Sequence, residues 1–597
     1  MKMKWMKKLQ DRLTGLTDAI TRFPLTTLFL LASAIVIAYS INAEKDQTQF
    51  ILTFIVGAFL SAVCQMIYER FYSNSTSRFT LMGAAVLLSA GYYLIIKPTD
   101  SLSMEMGIRT GVALFALLIA FIWVPVIKSS ITFNSSFMIA FKSFFISLFF
   151  SGIIMAGVGI ILGATDLLIF SIDYKAYSHA ANIIFSIFAP IYFLSLIPVY
   201  LGTHDPKKTQ AEWNRKKETI DSAANCPKFL QILISYIVIP LIAVFTLIIV
   251  IYIVKNIGGD FWTDNLLEPM LVSYAITVIL VYILASEIEN KFTAFFRKVF
   301  PKILVPIVLF QIASSVISLN DTGITHTRYY VILFGVYAAA AGILFSILPV
   351  RKNGIIAAML IVFAAVSIVP PVDAFTISRT SQIKILENVL VKNNMLENNK
   401  IKPKEAIPDE DKKTITKTVY YLDEMGYTKN ISWLPKDFKV YEDFSETFGF
   451  KEYQEPVDED FKQPVYVNLD PSTPISITGY DLFVQTDVNM YDKQQNQKIC
   501  VIKKDEKSYT LMKNFNKNRI DIKVKSENGQ ELLTFNTKEI YDKFYNYQGM
   551  KEQISAEEAT FTKENDLVKM TIVVQNLNID KQNNQYDALL FVFVQIK

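Results

Sequence analysis

The chain contains 597 residues, of which 52% are hydrophobic and 19% are charged, and its formal net charge is +4. This length predicts more than one domain, and the lack of a basic cluster with interleaved aromatic residues argues against nucleic-acid binding. Cys64 lies in an apolar run, Cys226 in a basic loop and Cys500 in a polar region, so the three cysteines do not form a disulfide framework.

The composition changes near residue 372. Long runs of Phe, Ile, Leu, Val and Ala with few charges dominate the chain before this point, whereas Lys, Glu, Asp, Asn and Gln dominate after it. The mean hydropathy of the chain is +0.31 although its final third is polar, which indicates membrane-spanning segments. We therefore predict a transmembrane domain at 24–371 and a soluble domain at 372–597.

The first 23 residues precede the apolar runs and show a helical pattern. Apolar residues recur at helical spacing, with basic residues between them, at Trp5, Leu9, Leu13, Leu16 and Ile20. A cleaved signal peptide has its apolar run directly after a short basic segment, which this sequence lacks. The pattern predicts an amphipathic helix at 1–23 that lies on the cytoplasmic surface and leads into a retained first span.

Eleven segments are apolar and long enough to cross a bilayer, since a spanning helix needs roughly 20 mostly apolar residues. The alternative, buried core helices of a soluble protein, is disfavoured because so many apolar runs leave too little polar surface. The predicted spans are 24–41, 50–68, 79–96, 106–127, 137–163, 180–201, 229–254, 266–285, 303–319, 329–348 and 355–369.

The distribution of Lys and Arg between these spans predicts the orientation of the chain, because basic residues concentrate in cytoplasmic loops. With a cytoplasmic N-terminus, the cytoplasmic segments carry most of the basic residues and the external loops carry few. Those few are Lys45, Lys97, Lys175, Lys255 and Arg328, with Arg109 just inside the fourth span. Eleven crossings then place residues 372–597 outside the cytoplasm.

The soluble domain is predicted to begin with helices at 375–396 and 411–425. The second helix ends before Gly426, and glycine favours the C-terminal cap of a helix. Asn536 and Glu539 have the spacing of a capping box, which predicts a short helix to about Tyr547.

Alternating apolar residues predict the strands of this domain. Asn528-Gly529 between two such segments is a strong hairpin signal. The strands are expected at 465–469, 475–477, 482–484, 520–524, 533–535, 568–574 and 588–594. The expected fold class is a polytopic α-helical membrane bundle of about 11 transmembrane helices, followed by a soluble α+β domain with a largely antiparallel sheet.

Four stretches of the sequence carry a family resemblance. They read DAITRFPLT at 18–26, NDTGITHTRYYVILFG at 320–335, DAFTISRTSQIKILE at 373–387 and SITGYDLFV at 476–484. On these stretches the chain resembles, over nearly its whole length, the bacterial membrane protein family catalogued as domain of unknown function 4153. The resemblance implies a polytopic inner-membrane protein with an appended soluble domain, and it brings no catalytic residues.

The sequence contains few of the residues that catalysis or metal binding requires. Residues 372–597 contain no histidine, which excludes Ser-His-Asp and Cys-His catalysis and His-ligated zinc within that domain. The chain has no GxSxG, P-loop or GxGxxG motif. We therefore predict no catalytic residue, no metal site and no cofactor, and we expect a protein that is not an enzyme.

Four polar residues near the predicted external side are candidates for ligand binding: Arg109, Asp321, His326 and Arg328. Charge close to a bilayer is costly and often functional, although Arg109 at the start of its span also suits snorkelling to lipid headgroups. Asp321 and Arg328 are expected to pair and to fix the loop 319–329 over a pocket between helices. Ordinary exposed loop polarity is the alternative.

Two kinds of function fit these features. In the first, the helices anchor an envelope scaffold or sensor whose outer domain binds an envelope protein or a cell-wall ligand. The alternative is a transporter of a small molecule, ion or lipid, which the number of helices and the prolines in or near the spans favour. A membrane enzyme acting on a lipid-linked substrate has no motif in its favour. The expected partners are the lipid bilayer and such a ligand, without nucleic acid, and the sequence predicts no oligomeric state.

Overall fold

The structure is a computed structural model that forms two compact units, Met1–Tyr453 and Gln454–Lys597. It describes residues 15–97, 103–203, 210–256, 268–435, 437–454, 464–490, 497–516, 519–545, 547, 550–582 and 585–597. Residues 1–14 of the predicted amphipathic lead lie outside the described residues, and residues 15–22 are helical.

Eleven helices in the described part of the first unit are long and apolar enough to cross a membrane, which confirms the predicted number. We call these helices, α1–α11, the helix bundle. They are α1 (Pro24–Ala43), α2 (Thr48–Phe71), α3 (Ser75–Ile96), α4 (Met104–Val126), α5 (Phe133–Leu168), α6 (Lys175–Ser195), α7 (Lys228–Lys255), α8 (Glu268–Ala285), α9 (Lys291–Ile317), α10 (His326–Ile347) and α11 (Val350–Ile368). A helix at Gln210–Ala224 lies between α6 and α7 in the sequence.

The ninth span differs most from its predicted limits. It begins at Lys291 instead of residue 303. The first part of the helix carries four basic residues, so a prediction from hydropathy did not include it in the span. Asn290 and Thr293 form a capping box at this start, in which each side chain accepts the backbone N–H of the other residue. Such a box satisfies two backbone donors that have no partner within the helix. The helix therefore starts among polar residues and continues through Pro301 and Pro306.

Close packing of large apolar side chains fills the interior of the bundle. Tyr274, Phe296 and Met138 are fully buried, and the rings of Tyr282 and Phe345 stack with their centroids 3.8 Å apart. Lipid tails are as apolar as these side chains, so van der Waals packing, more than transfer out of water, stabilises contacts between spanning helices.

At one end of the bundle, basic side chains bind carbonyl groups at the C-termini of helices. Arg70 donates to three carbonyl oxygens, two directly after the end of α4 and one six residues after the end of α6. These belong to Ile127, Lys128 and Leu201. Arg297 donates in the same way to two carbonyls at the end of α8. The last carbonyls of a helix have no partner within the helix, and the helix dipole favours a cation there.

Residues 374–450 form a second helical layer, the cap, on the opposite end of the bundle. The cap contains α12 (Ala374–Lys392), the short hairpin strands β1 (Leu396–Glu397) and β2 (Lys400–Ile401), α13 (Asp409–Glu424) and α14 (Val440–Phe448). Its core includes Phe375, Leu386 and Phe444, and Tyr329 and Tyr330 of α10 pack against this core. We call this end of the bundle the capped end.

The cap agrees with the predicted helices and extends the first compact unit beyond the last span. α12 and α13 lie where helices were expected, and Gly426 follows α13 with a φ of +71°, while α14 was not predicted. Because Phe375 and its neighbours bury their side chains against α10, the cap belongs to the same compact unit as the bundle. The first compact unit therefore ends at Tyr453, whereas the composition changes near residue 372.

The second unit is built around two sheets, which confirms an α+β part with largely antiparallel pairing. Its strands are β3 (Val465–Leu469), β4 (Leu482–Asn489), β5 (Gln497–Lys504), β6 (Lys507–Asn516), β7 (Arg519–Ser526), β8 (Glu531–Asn536), β9 (Met550–Ile554), β10 (Thr560–Glu564), β11 (Val568–Asp580) and β12 (Gln585–Ile596). One sheet has the order β4-β12-β11-β3-β9, with β10 also paired to β11, and the other is the meander β5-β6-β7-β8. Among the described strands, β3 and β9 pair in parallel and the other pairs are antiparallel.

Most of the predicted strands are confirmed, including the hairpin β7–β8 around Gly529 and the apolar strand β12 between β11 and β4. The strand predicted at 475–477 is wrong, because these residues form no strand and the chain turns directly after them, where the Tyr480 N–H donates to the Ile477 carbonyl.

The capping box predicted at Asn536 is also wrong. The N-cap of α15 (Lys538–Phe544) is Thr537, whose hydroxyl donates to the Ile520 carbonyl, and Glu539 forms an ion pair with Lys563 instead.

Candidate functional site

Arg109 joins the start of α4 to the start of the cap. Its guanidinium forms ion pairs with Glu105, one turn earlier, at 2.8 Å and with Asp373 at 2.6 Å. It also donates to the Ile368 carbonyl at the end of α11 and lies 4.7 Å from the centre of the Phe375 ring. Arg109 therefore binds protein groups on α4, α11 and α12, and the alternative of snorkelling to lipid headgroups does not describe its contacts.

Asp373 fixes the start of α12 while it binds Arg109. Its carboxylate accepts the backbone N–H groups of Phe375 and Thr376 at 3.0 and 3.1 Å, as an N-cap residue does. The side chain is fully buried. Burial alone raises the pKa of a carboxyl group, but the hydrogen bonds from Thr376 and the charge of Arg109 outweigh it and hold the pKa of Asp373 below its ordinary value. The buried group is therefore a carboxylate at neutral pH.

A second bond from the cap reaches the same cluster. The Tyr427 hydroxyl, which follows α13, donates to Glu105 at 2.9 Å. Burial and the neighbouring Glu105 carboxylate raise the pKa of Tyr427, so the phenol stays protonated and remains a donor. The guanidinium of Arg379 lies 5.6 Å from the centre of the Tyr427 ring. We call Glu105, Arg109, Asp373 and Tyr427 the Arg109 cluster.

The loop between α9 and α10 lies directly on α12. Gln382 of α12 donates to the Thr322 carbonyl at 2.9 Å, and the Ser381 hydroxyl accepts the Ile324 N–H at 3.1 Å. Gly323 between them has a φ of +67°, and an added Cβ there would collide with the Ile385 side chain. A glycine is required here by both the left-handed backbone and the close approach.

His326 and Arg328, two of the four candidate residues, both lie at this contact. The Tyr421 hydroxyl of α13 accepts the His326 backbone N–H at 3.0 Å and lies 3.0 Å from His326 Nδ1. Arg328 is 8% exposed and donates to the Ser318 carbonyl at 2.7 Å and to the Thr322 hydroxyl. Arg328 thus links the start of α10 to the residues that directly follow α9.

The side chain of Asp321 lies outside the described residues, so the expected pair with Arg328 stays a prediction. A cavity of about 500 Å³, lined by polar and apolar groups, lies between the loop 318–325 and α13, with Arg328 in its wall. Three other lining residues from α13 are Glu410, Lys413 and Lys417.

The contacts of the Arg109 cluster attach the cap to the helix bundle. Each of its charges binds a partner on another element, and within the described ranges no three His, Cys, Asp or Glu side chains converge as metal ligands do.

Sequence reasoning found Arg109, His326 and Arg328 but missed their partners. Glu105, Asp373, Gln382, Tyr421 and Tyr427 were not among the candidates. One signal for them exists: the stretches at 320–335 and 373–387, which carry the family resemblance, are the two surfaces that meet at this contact.

A comparison with protein families covers this region. The family model described as domain of unknown function (DUF4153) matches residues 27–400, and the chain belongs to this family. The match contains Arg109, Arg328 and Asp373 and ends within the cap, so it does not extend to the resemblances at 18–26 and 476–484. No curated protein and no solved structure matches the chain.

Proposed function

We propose that this multi-pass membrane protein is a non-enzymatic scaffold or sensor of the bacterial cytoplasmic membrane. In this proposal the helix bundle anchors the protein, and the cap lies outside the cytoplasm. Residues 464–597 then bind an envelope protein or a cell-wall polymer.

The observation that carries this proposal is the fastening of the cap by the Arg109 cluster. A bundle that only anchors needs no second helical layer bound through a fully buried carboxylate and its arginine. A scaffold or sensor does need one, because force or a binding signal must pass between the membrane part and the part that leaves it. The ion pair and the Tyr427 bond connect these parts through side chains that have defined partners.

The interior of the spans also supports anchoring. Two cavities among α1, α2, α4, α5 and α6, of about 100 and 430 Å³, are lined by apolar side chains apart from Thr26 and Ser147. A path for a hydrophilic solute requires polar groups near the middle of the membrane.

The proposed orientation follows from the basic residues. Arg22, Arg70, Arg78 and Arg297 make their contacts at the end of the bundle opposite the cap, and basic residues favour the cytoplasmic side. Two single-cysteine variants test it: Lys429→Cys in the cap and Lys291→Cys at the start of α9, both at exposed positions, in a chain without native cysteines. A membrane-impermeant maleimide should label only Lys429→Cys in intact spheroplasts. Labelling of only Lys291→Cys contradicts the orientation.

Photo-crosslinking in cells tests the binding role. A photoreactive amino acid replaces Phe483 or Ile477, which are 51% and 64% exposed in the second unit, and as the matched control it replaces Leu87, which is 74% exposed on α3. We expect discrete protein or cell-wall adducts from the first two positions and lipid adducts from the control. Lipid adducts alone at all three positions contradict a binding role for residues 464–597.

Transport of a lipid is the second candidate, and the shape of α6 favours it. Residues Ile183–Phe188 form a wide helical turn just before Pro190, and such turns often occur at functional sites. Ala189 and Pro190 line the apolar cavity of about 430 Å³. If the protein is a scaffold, vesicles reconstituted with it should expose a fluorescent phospholipid to dithionite no faster than protein-free vesicles. Faster loss of the protected fluorescence supports transport.

A further inference from the structure

The larger sheet of the second unit carries aromatic side chains on the face that is turned away from its core. Successive side chains of a strand lie on opposite faces. Along β12, Leu590 and Val592 are fully buried on one face, whereas Phe591 and Phe593 lie on the other. Phe483 of β4 is directly opposite Phe593 in the register and therefore lies on the same face. We call this face of β4 and β12 the outer face.

The rings on the outer face form one continuous surface. The centre of the Phe483 ring lies 5.0 Å from that of Phe593 and 5.5 Å from that of Phe591. The Tyr480 ring lies 5.4 Å from Phe593 on the same basis. Phe593 is buried beneath its neighbours, while Phe483 is half exposed and Tyr480 and Phe591 are partly exposed. A single exposed apolar residue needs no explanation, but a contiguous group of exposed rings indicates a binding surface.

Amide groups lie directly beside these rings. Gln485 is opposite Phe591 in the register, and its Nε2 donates to Gln575 Oε1 at 2.6 Å. Side chains in opposite positions of neighbouring strands are about 5 Å apart, so the amide and the ring are within reach of one small group. Among the described residues, Gln485 Oε1 and Gln575 Nε2 have no further partner. The surface thus offers one free acceptor and free amide donors next to its rings.

A cavity of about 440 Å³ adjoins the rings, and Gln485 lines it together with Gln497 and Lys498 of β5. The other charged residues in its described lining, Lys513 and Asp487, form an ion pair at 3.0 Å. Recognition of an anion depends on several charged donors that are free to bind it, whereas the charge of Lys513 is already matched. The groups that remain are mostly neutral, which suits an uncharged polar ligand.

We propose that the outer face binds a polysaccharide chain, with sugar rings stacked on Phe483 and Phe591. A sugar ring has an apolar face of C–H groups, which packs on an aromatic ring, and a rim of hydroxyl groups, which both donate and accept hydrogen bonds. The paired amides of Gln485 and Gln575 match that rim. This inference rests on the binding role proposed for residues 464–597 and names the class of ligand.

The test uses the purified full-length chain in a polyoxyethylene detergent, because detergents with sugar headgroups would compete for the site. Hexamers of N-acetylglucosamine and of glucose are titrated by calorimetry, with each monosaccharide as the matched control probe. At least one hexamer should bind about tenfold or more tightly than its monosaccharide, since several sugar rings of one chain contact the face together.

Four variants show where the hexamer binds. Phe483→Ala removes an exposed ring and should weaken binding about tenfold, whereas Phe483→Trp keeps a ring and should retain binding. Gln485→Leu keeps the size of the side chain without its amide and should weaken binding several-fold. The matched control is Tyr441→Ala, which removes an 81% exposed ring from the cap and should not change binding. Thermal unfolding of each variant verifies that it is folded.

Hexamer binding with these variant effects supports the site. The proposal is overturned if neither hexamer binds up to about 10 mM, if the hexamers bind no more tightly than the monosaccharides, or if Phe483→Ala binds as tightly as Tyr441→Ala. Protein adducts from a photoreactive residue at position 483, without hexamer binding, would overturn the polysaccharide and keep the binding role of residues 464–597. Absence of both adducts and hexamer binding would overturn both proposals.

Discussion

At the end of the bundle away from the cap, Arg70 donates to the carbonyls of Ile127, Lys128 and Leu201. At the capped end, Arg109 also donates to a helix-terminal carbonyl, that of Ile368, but it binds the carboxylates of Glu105 and Asp373 as well. Both arginines thus complete the ends of spans. Arg109 in addition holds a layer that is not part of the bundle.

This difference predicts two kinds of damage. The partners of Arg70 are backbone groups of the bundle itself, so its loss should loosen the bundle. Asp373 is the N-cap of α12, so the loss of Arg109 should loosen the attachment of the cap and leave the spans assembled. Because few side chains attach the cap to the bundle, a bound ligand can strengthen or weaken this attachment.

The largest effect is expected for Arg109→Ala. This change leaves the fully buried Asp373 carboxylate without its cation, which costs roughly 3–5 kcal/mol for a buried pair. Limited proteolysis of the purified protein should then cut within residues 374–450 much faster. The control is Lys439→Ala, whose pair with Glu442 is exposed and therefore contributes little to stability. Equal protease resistance of the two variants would contradict the role of Arg109.

Gly323→Ala should follow in size. A left-handed backbone costs an alanine about 1–2 kcal/mol, and the clash with Ile385 adds roughly 1–3 kcal/mol of overpacking. Gly426→Ala is the matched control, since its φ is +71° but nothing lies within 4 Å of an added Cβ. Thermal unfolding should rank wild type, Gly426→Ala and Gly323→Ala in decreasing stability. Equal losses for the two variants would show that the loop does not press on α12.

Tyr427→Phe removes one hydrogen bond of the Arg109 cluster without changing its charges. The bond to the Glu105 carboxylate is of the charge-assisted kind, and its loss costs about 1.5 kcal/mol. The apparent melting temperature of the cap, followed by the labelling of a buried cysteine in place of Met395, should fall less than in Arg109→Ala. A fall as large as that of Arg109→Ala would assign the fastening to Tyr427 instead.

Alanine at Asp321 and at Arg328, singly and together, tests the predicted pair in the loop between α9 and α10. Residues in contact show coupling energies of about 0.5–3 kcal/mol in such a cycle. The free energies of unfolding, measured in denaturant, give the coupling directly. Additive losses would mean that Arg328 acts through Ser318 and Thr322 without Asp321.

The smallest change is expected between pH 7 and pH 5. The pKa of Asp373 lies below its ordinary value in the folded protein, so the stability that it contributes is fully present above the unfolded value of about 3.9. That contribution is lost only as the pH falls through the lower, folded pKa. Protease resistance of the cap should therefore be constant from pH 7 to 5 and fall below about pH 4. A loss near pH 6 would implicate another group.

The membrane part of the fold could be predicted because hydropathy is a property of neighbouring residues. Each of the eleven spans is recognisable from its own 20 or so residues, and the end that moved most is the start of α9, which depends on the capping box at Asn290. The hairpin β7–β8 was recognisable from Asn528-Gly529 for the same reason.

The candidate site could be predicted only in part because its contacts are distant in the sequence. Arg109 and Asp373 are 264 residues apart, and Glu105 and Tyr427 are 322 apart. No local pattern links such residues, and Asp373 reads in the sequence as an ordinary helix N-cap. The boundary at 372 was placed by composition, which changes where the spans end, whereas the compact unit continues through the polar cap to Tyr453.

Hydrogen exchange measured by mass spectrometry on Arg109→Ala and Arg70→Ala, in the same detergent, tests the comparison of the two ends most directly. We predict that Arg109→Ala increases exchange in residues 374–450 and leaves α2, α4 and α6 protected. Arg70→Ala should increase exchange at the ends of α2, α4 and α6 and leave the cap protected. Unchanged protection of residues 374–450 in Arg109→Ala would contradict the claim that this arginine fastens the cap to the bundle.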